Sequence, residues 1–212
     1  MTSAGPLSPD WGMANIQKIL RVVGGIKQYV SAKGEIAIPS HLETCPFCTP
    51  IHPLRRHGFY RRWAVTNAVL HYIRIRRLLC PATKRTVSLL PDFLVPRKQF
   101  VLAVIAAFLQ AYLWLGLSLA ASVRAATRIH PARQKGRFWC RAVASRARTL
   151  RAYAAQLPSA ARDAGPAPPA AGALRGELHA LLAPLFPGAA DLVSALRHHS
   201  PHMHAALGRT PV

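Results

Sequence analysis

The apolar positions fall into three regimes along the chain. Over residues 15–30, Ile16, Ile19, Leu20, Val23 and Ile26 recur at helical spacing, which predicts a short helix weakened by the Gly24-Gly25 pair. Residues 43–96 change character. Pro and Cys cluster first, and three runs rich in β-branched and aromatic residues follow at 57–65, 69–79 and 85–90, a pattern of short strands. In the second run Tyr72, Ile73 and Ile75 sit among Arg74, Arg76 and Arg77, which predicts one apolar and one basic face. Pro91 and Pro96 close this unit.

Residues 97–157 read as helical, with a first helix over 99–115. Gly116-Leu117-Ser118 interrupts the pattern, Ser118 serves as the N-cap of a short helix over 119–128, and Pro131 separates that from a third helix over 133–148. In the third, Phe138, Trp139, Ala142 and Val143 form an apolar stripe, with Arg137, Arg141, Arg146 and Arg148 largely off it. The expected fold is therefore α+β and helix-dominated. A leader and short helix (1–42) precede a small antiparallel β unit (43–96) and a three-helix bundle (97–157). A Pro/Ala linker at 158–172 and a weakly structured helical tail at 173–212 follow.

Hydropathy raises one alternative. Residues 100–123 contain no charge and are flanked by Arg97-Lys98 and by Arg124, as a single membrane span would be. Gln110 lies mid-span, the Gly116 to Ser118 break divides it, and both flanks are basic, so no orientation is specified. Two buried helices joined by a tight turn give the same profile, and that is the expectation taken here.

Charge narrows the class of partner. The chain has 28 Lys and Arg against 7 Asp and Glu, a formal net charge of +21, and no carboxylate lies between Asp92 and Asp163. A field of one sign over that length favours a polyanion. Because the basic residues are spread among foldable apolar segments, nucleic acid is favoured over a membrane surface. The N-terminus lacks the basic and apolar regions of a signal peptide. Four cysteines are too few for a disulfide scaffold, so a cytoplasmic, nucleoid-associated location is expected.

The most specific chemistry is Cys45-Pro46-Phe47-Cys48 with Cys80-Pro81-Ala82-Thr83 downstream. Two thiolates three residues apart on a tight turn can reach one tetrahedral zinc ion, and a zinc ribbon uses two such knuckles. Here the second knuckle has Thr83 in the fourth position, a poor ligand because its hydroxyl does not ionise near neutrality. Cys45, Cys48 and Cys80 with either His52 or His57 complete a set, and the spacing does not choose between the two. The alternative is a ribbon that has lost its metal, with the three cysteines as small core residues.

In order along the chain come Cys-Pro-x-Cys, His57-Gly58-Phe59-Tyr60-Arg61, Ile73-Arg74-Ile75-Arg76-Arg77-x-x-Cys80, and Thr86-x-Ser88-Leu89-Leu90-Pro91-x-Phe93-Leu94-x-Pro96. This order resembles an uncharacterised bacterial family of transposase-like proteins with an N-terminal zinc ribbon. That family is related to the leading domains of insertion-sequence transposases. The resemblance covers about residues 40–157, and Thr83 departs from it. It implies a zinc-binding β-ribbon followed by a helix-turn-helix that grips duplex DNA, and a separate transposase catalytic subunit as a possible partner. Ala120, Ala121 and Ala125 would let the first two helices pack closely so that the third reaches the major groove. Arg133, Lys135, Arg137 and Arg141 on that helix, with Arg124 and Arg128 before it and Arg74, Arg76 and Arg77 in the ribbon, are the candidate DNA contacts.

An enzyme is not expected. An RNase H-type transposase core needs three carboxylates on a βαβ scaffold, and Asp163, Glu177 and Asp191 lie in or after the linker. No phosphate-binding Gly loop or recognisable nucleophile is present, so no small-molecule substrate is expected. The closely spaced His198, His199, His202 and His204 are assigned no role.

Overall fold

The computed structural model describes residues 16–145, 147–155 and 173–183. The leader at 1–12, Arg146, the linker at 158–172 and the tail histidines lie outside the described residues. The chain is mixed α+β, with a four-stranded sheet and six α-helices among the described residues. The strands are β1 (Ile16–Leu20), β2 (Arg55–Val65), β3 (Leu70–Leu79) and β4 (Thr86–Pro91), in spatial order β1-β4-β3-β2.

The three predicted β runs form as expected. β2 and β3 pair antiparallel from Val65↔Leu70 to Arg55↔Leu79, with an irregularity between Arg56 and Phe59. β3 pairs antiparallel with β4. The helix expected over 15–30 does not span that stretch. Residues Ile16–Leu20 are instead a strand lying parallel to β4, Ile16 opposite Val87 and Leu20 opposite Pro91. The helix, α1 (Gly25–Ser31), begins only at Gly25; Gly24 and Gly25 are both at positive φ, a conformation glycine adopts without a Cβ penalty. β1 gives β4 a neighbour on each edge, and Val87, Leu89 and Leu90 are wholly buried. The sheet is thus not purely antiparallel.

The helical part contains α2 (Leu102–Leu109), α3 (Leu119–Ala126), α4 (Arg133–Ala144) and α5 (Ala147–Ala154). α2 buries six of its eight residues, as a helix apolar on most sides must. It continues into a wide turn at Gln110–Trp114 and stops at Gly116, whose φ is +67°. Ser118 then caps α3, its Oγ accepting from the Ala121 N–H at 3.2 Å. The uncharged stretch at 100–123 is thus broken in two, and no helix among the described residues is long and apolar enough to cross a membrane.

The alanines expected to bring the first two helices together are not the buried residues of α3: Ala120 and Ala121 are half-buried. Ala125 is exposed, while Ser122, Val123 and Ala126 face inward. The close approach is at Gly136 of α4, where a Cβ would stand 2.9 Å from both Phe108 and Val123. Trp139 is core as predicted, with Phe100 and Phe108 edge-on to it at 5.2 and 5.0 Å between ring centroids. Phe138 is not. It is 55% exposed, because a residue next to Trp139 is rotated about 100° away from it around the helix.

The sheet and helices share one core. The β2–β3 hairpin tip joins them: the Val65 N–H donates to Gln99, the Val101 N–H to Val65, and the Arg128 N–H to Asn67. A sixth helix, α6 (Ala173–Leu182), docks on the bundle with Leu178 and Leu182 buried. The Arg175 guanidinium donates to the carbonyls of Gly116 and Leu117. This part of the tail is a packed helix, bonded to the turn before α3.

Candidate metal centre and basic helix face

Residues 43–54 lie outside the named helices and strands, and backbone bonds shape them. The Leu54 N–H donates to Glu43 and the Cys45 N–H to His52 at 2.8 Å, folding the segment into a narrow loop that sets His52 beside Cys45. The Phe47 N–H donates to Cys45 Sγ at 3.4 Å. Across the site, Cys80 directly follows β3. A turn follows in which the Cys80 N–H donates to Arg85 and the Lys84 N–H to Cys80, with Lys84 at positive φ. The Arg85 guanidinium lies over the Phe47 ring at 5.3 Å and links the two loops.

The donor atoms of Cys45, Cys48, His52 and Cys80 all lie within 4.8 Å of one another. Cys48 Sγ and Cys80 Sγ are 3.6 Å apart, and Cys80 Sγ and His52 Nε2 are 3.5 Å apart. A tetrahedral ion with ordinary zinc bond lengths has S···S edges of about 3.8 Å and S···N edges of about 3.6 Å. The donor set fits such an ion. His52 Nδ1 lies 3.0 Å from the Pro53 carbonyl, so its proton is held there and the Nε2 lone pair faces the sulfurs. His57, the other candidate, is exposed on β2 and not part of the cluster.

Electrostatics within the cluster are uneven. Burial and hydrogen bonding to Cys80 and Cys45 push the Cys48 thiol up to about 11. Burial acts in the same sense on Cys80, but hydrogen bonds from Thr83 and from the other two cysteines outweigh it and bring Cys80 down to about 6. Thr83 sits beside Cys80. It donates its backbone N–H to Cys80 Sγ at 3.3 Å, supporting the thiolate from the second knuckle. Lys18 of β1, which sequence reasoning missed, reaches the same corner. Its ammonium donates to the carbonyls of Leu42 and Thr44. Burial lowers its pKa while the neighbouring Cys45 acts in the opposite sense.

The candidate DNA contacts divide into two groups. Arg133, Arg137 and Arg141 are all exposed at four-residue spacing along one face of α4, while Gly136, Trp139, Cys140 and Val143 are buried on the other. Arg124 at the end of α3 and Arg128 in the turn before α4 are also exposed. Lys135 differs. Its ammonium sits 4.7 Å from the Phe100 ring centroid and burial lowers its pKa. In the sheet, Arg77 is half-buried and donates to Thr86 Oγ1 at 2.9 Å. Arg76 is withdrawn as a contact: its side chain is 10% exposed and ion-paired to Glu35. Arg74 stacks on Phe59, its guanidinium 4.0 Å from the ring centroid.

A family model described as a domain of unknown function (DUF6431) matches residues 45–122. The matched stretch opens at the first cysteine of the cluster, includes β2, β3, β4 and α2, and ends within α3, before the basic face of α4. No curated protein and no solved structure matches the chain.

Proposed function

We propose that the chain is a non-catalytic, zinc-bearing DNA-binding module of the transposase-like kind, a ribbon joined to a helix-turn-helix made by α3 and α4. The observation that supports this most is the exposed row of Arg133, Arg137 and Arg141 on α4, backed by a wholly apolar inner face. Arg124 and Arg128 lie just before it in the chain. A helix held from behind by Trp139 and Val143 can enter the major groove without losing its own packing. Zinc suits the cluster because three thiolates and one imidazole are soft and borderline donors at tetrahedral spacing. Its role here is structural: four protein ligands leave no open position for catalysis.

Titration of the full-length, zinc-loaded protein against mixed-sequence duplex tests the reading. About five phosphate contacts give a log–log salt slope of about −4 to −5. Arg137→Ala and Arg141→Ala should each reduce the slope by about one if they contact phosphate, or cost roughly 1–3 kcal/mol at one site if they contact a base. Arg55→Ala and Arg56→Ala, exposed at the far end of β2, control for bulk charge. Equal loss from both sets would reduce the interaction to non-specific attraction and end the proposal.

A further inference from the structure

We infer that the outer face of the β2–β3 hairpin is a stacking platform for unpaired bases of a DNA strand, separate from the α4 face. The register sets Phe59 opposite Arg76, Arg61 opposite Arg74, and Trp63 opposite Tyr72. Alternation along both strands therefore puts these six side chains on one surface. Trp63 and Tyr72 are 42% and 55% exposed, with ring centroids 4.5 Å apart. Large aromatic side chains paired at this exposure near the tip of the hairpin are not what core packing produces. The Arg61 guanidinium lies 5.8 Å from the Tyr72 ring centroid, and Arg61 is exposed.

The loop after α1 covers only part of this face. Glu35 pairs with Arg76. Gly34 abuts the Arg74 carbonyl, where an added Cβ would stand 2.9 Å from the oxygen, and the Tyr29 hydroxyl donates to the same carbonyl at 2.7 Å. The cover reaches Arg74 and leaves Trp63 and Tyr72 open. Glu35 is the carboxylate on this surface, and Arg76 neutralises it.

Charge identifies the occupant. A chain of net charge +21 that presents two open aromatic rings beside Arg61 and Arg74 offers π-faces for bases and guanidinium groups for the backbone between them. Sequence-tolerant readers of single strands use this combination. A paired base in a duplex has its faces covered by its neighbours, so this surface selects unpaired DNA, whereas α4 is proposed to select duplex. The hairpin tip bonds to the α3–α4 turn through Asn67 and Arg128, so both surfaces belong to one rigid frame.

The test uses the full-length, zinc-loaded protein with two fluorescent probes: an oligothymidylate of about twenty nucleotides, long enough to exceed a single stacking site, and a mixed-sequence duplex. Trp63→Ala with Tyr72→Ala should weaken oligothymidylate binding by about tenfold or more and change duplex binding less than about twofold. Trp63→Phe, which keeps a ring, should restore most of the affinity. The oligothymidylate should also quench the fluorescence of the wild type more than that of Trp63→Phe. Arg61→Ala provides a second variant on an exposed side chain that folding does not need, and it should weaken the single strand selectively. Unchanged oligothymidylate affinity in the double variant overturns the inference, as does equal loss for both probes. So does a wild-type dimer that the double variant dissociates, since the rings would then cover a second copy. Wild type that binds duplex with the expected salt slope but not oligothymidylate overturns this inference alone and leaves the α4 reading in place.

Discussion

The cysteine end of the molecule and the helical end are held by different physics. Around Cys45, Cys48, His52 and Cys80 the loops meet the edge of the core through Leu42 and Leu54, while Ile51 is 76% exposed. Order there comes from backbone hydrogen bonds between Glu43–Cys45 and His52–Leu54 and from four donor atoms that converge on one point. Around Phe108 and Trp139 it comes from rings packed edge to face and from a glycine that lets α4 approach α2 and α3. A site organised by donors depends on what the donors bind. A site organised by area depends on shape. The two ends should therefore fail separately.

On the proposed zinc reading, metal removal is the largest perturbation, because structural zinc sites bind with about 10–16 kcal/mol. Chelation, or Cys80→Ser, should abolish hydrogen-exchange protection at the Cys45 and Leu54 amides and leave α2 and α4 protected. Simultaneous loss at both ends would erase the contrast. Next comes Trp139→Ala, which removes the ring between Phe100 and Phe108. The expected cost is about 3–5 kcal/mol, read from the midpoint of urea unfolding, with stoichiometric zinc still bound in the folded fraction. A cost below about 1 kcal/mol would mean that the bundle is not the shape-dependent end.

Gly136→Ala sharpens the comparison, since two effects oppose each other. Alanine gains about 1 kcal/mol of helix propensity over glycine. Its methyl, however, meets Phe108 and Val123, both 0% exposed, and overpacking costs typically about 1–3 kcal/mol. Because neither neighbour has free space to move into, the net effect should be destabilising; a stabilised protein would disprove the tight contact. The smallest effect is at Ser118→Ala. Losing the cap to the Ala121 N–H should cost about 1 kcal/mol, with Ser118→Gly costing only a few tenths. Thermal unfolding of the two variants side by side would check the order.

Much of this architecture was legible in the chain, and the exceptions have a common cause. The β-rich runs that become β2, β3 and β4, the Gly116–Ser118 break and the Trp139 core position are all local patterns, and each forms as read. At 16–20, Ile16, Ile19 and Leu20 stand at helical spacing, so the local pattern favours a helix that does not form there. What makes this segment a strand is β4, some seventy residues away (Ile16 to Val87). Arg76 reads as a solvated contact, and its ion pair with Glu35 and its place on the Phe59 ring come from other segments of the chain. Phe138 looked like part of the Trp139 stripe, yet the helix phase that buries Trp139 turns its neighbour outward. For α6, the Pro-broken context predicted little order, and the anchoring carbonyls of Gly116 and Leu117 belong to a turn far back in the chain.

Spacing within about ten residues therefore determined the strands of the hairpin, the helix breaks, the capping serine and the cysteine knuckle, because backbone periodicity and turn chemistry act at that range. The tertiary structure alone chose His52 over His57, supplied Lys18 and Thr83 to the cluster, buried Arg76 and left Trp63 and Tyr72 in the open. Each of those outcomes depends on which distant segment comes to lie against the residue. Burial, charge pairing and donor convergence are properties of the neighbours in space, and a linear order of residues does not contain them.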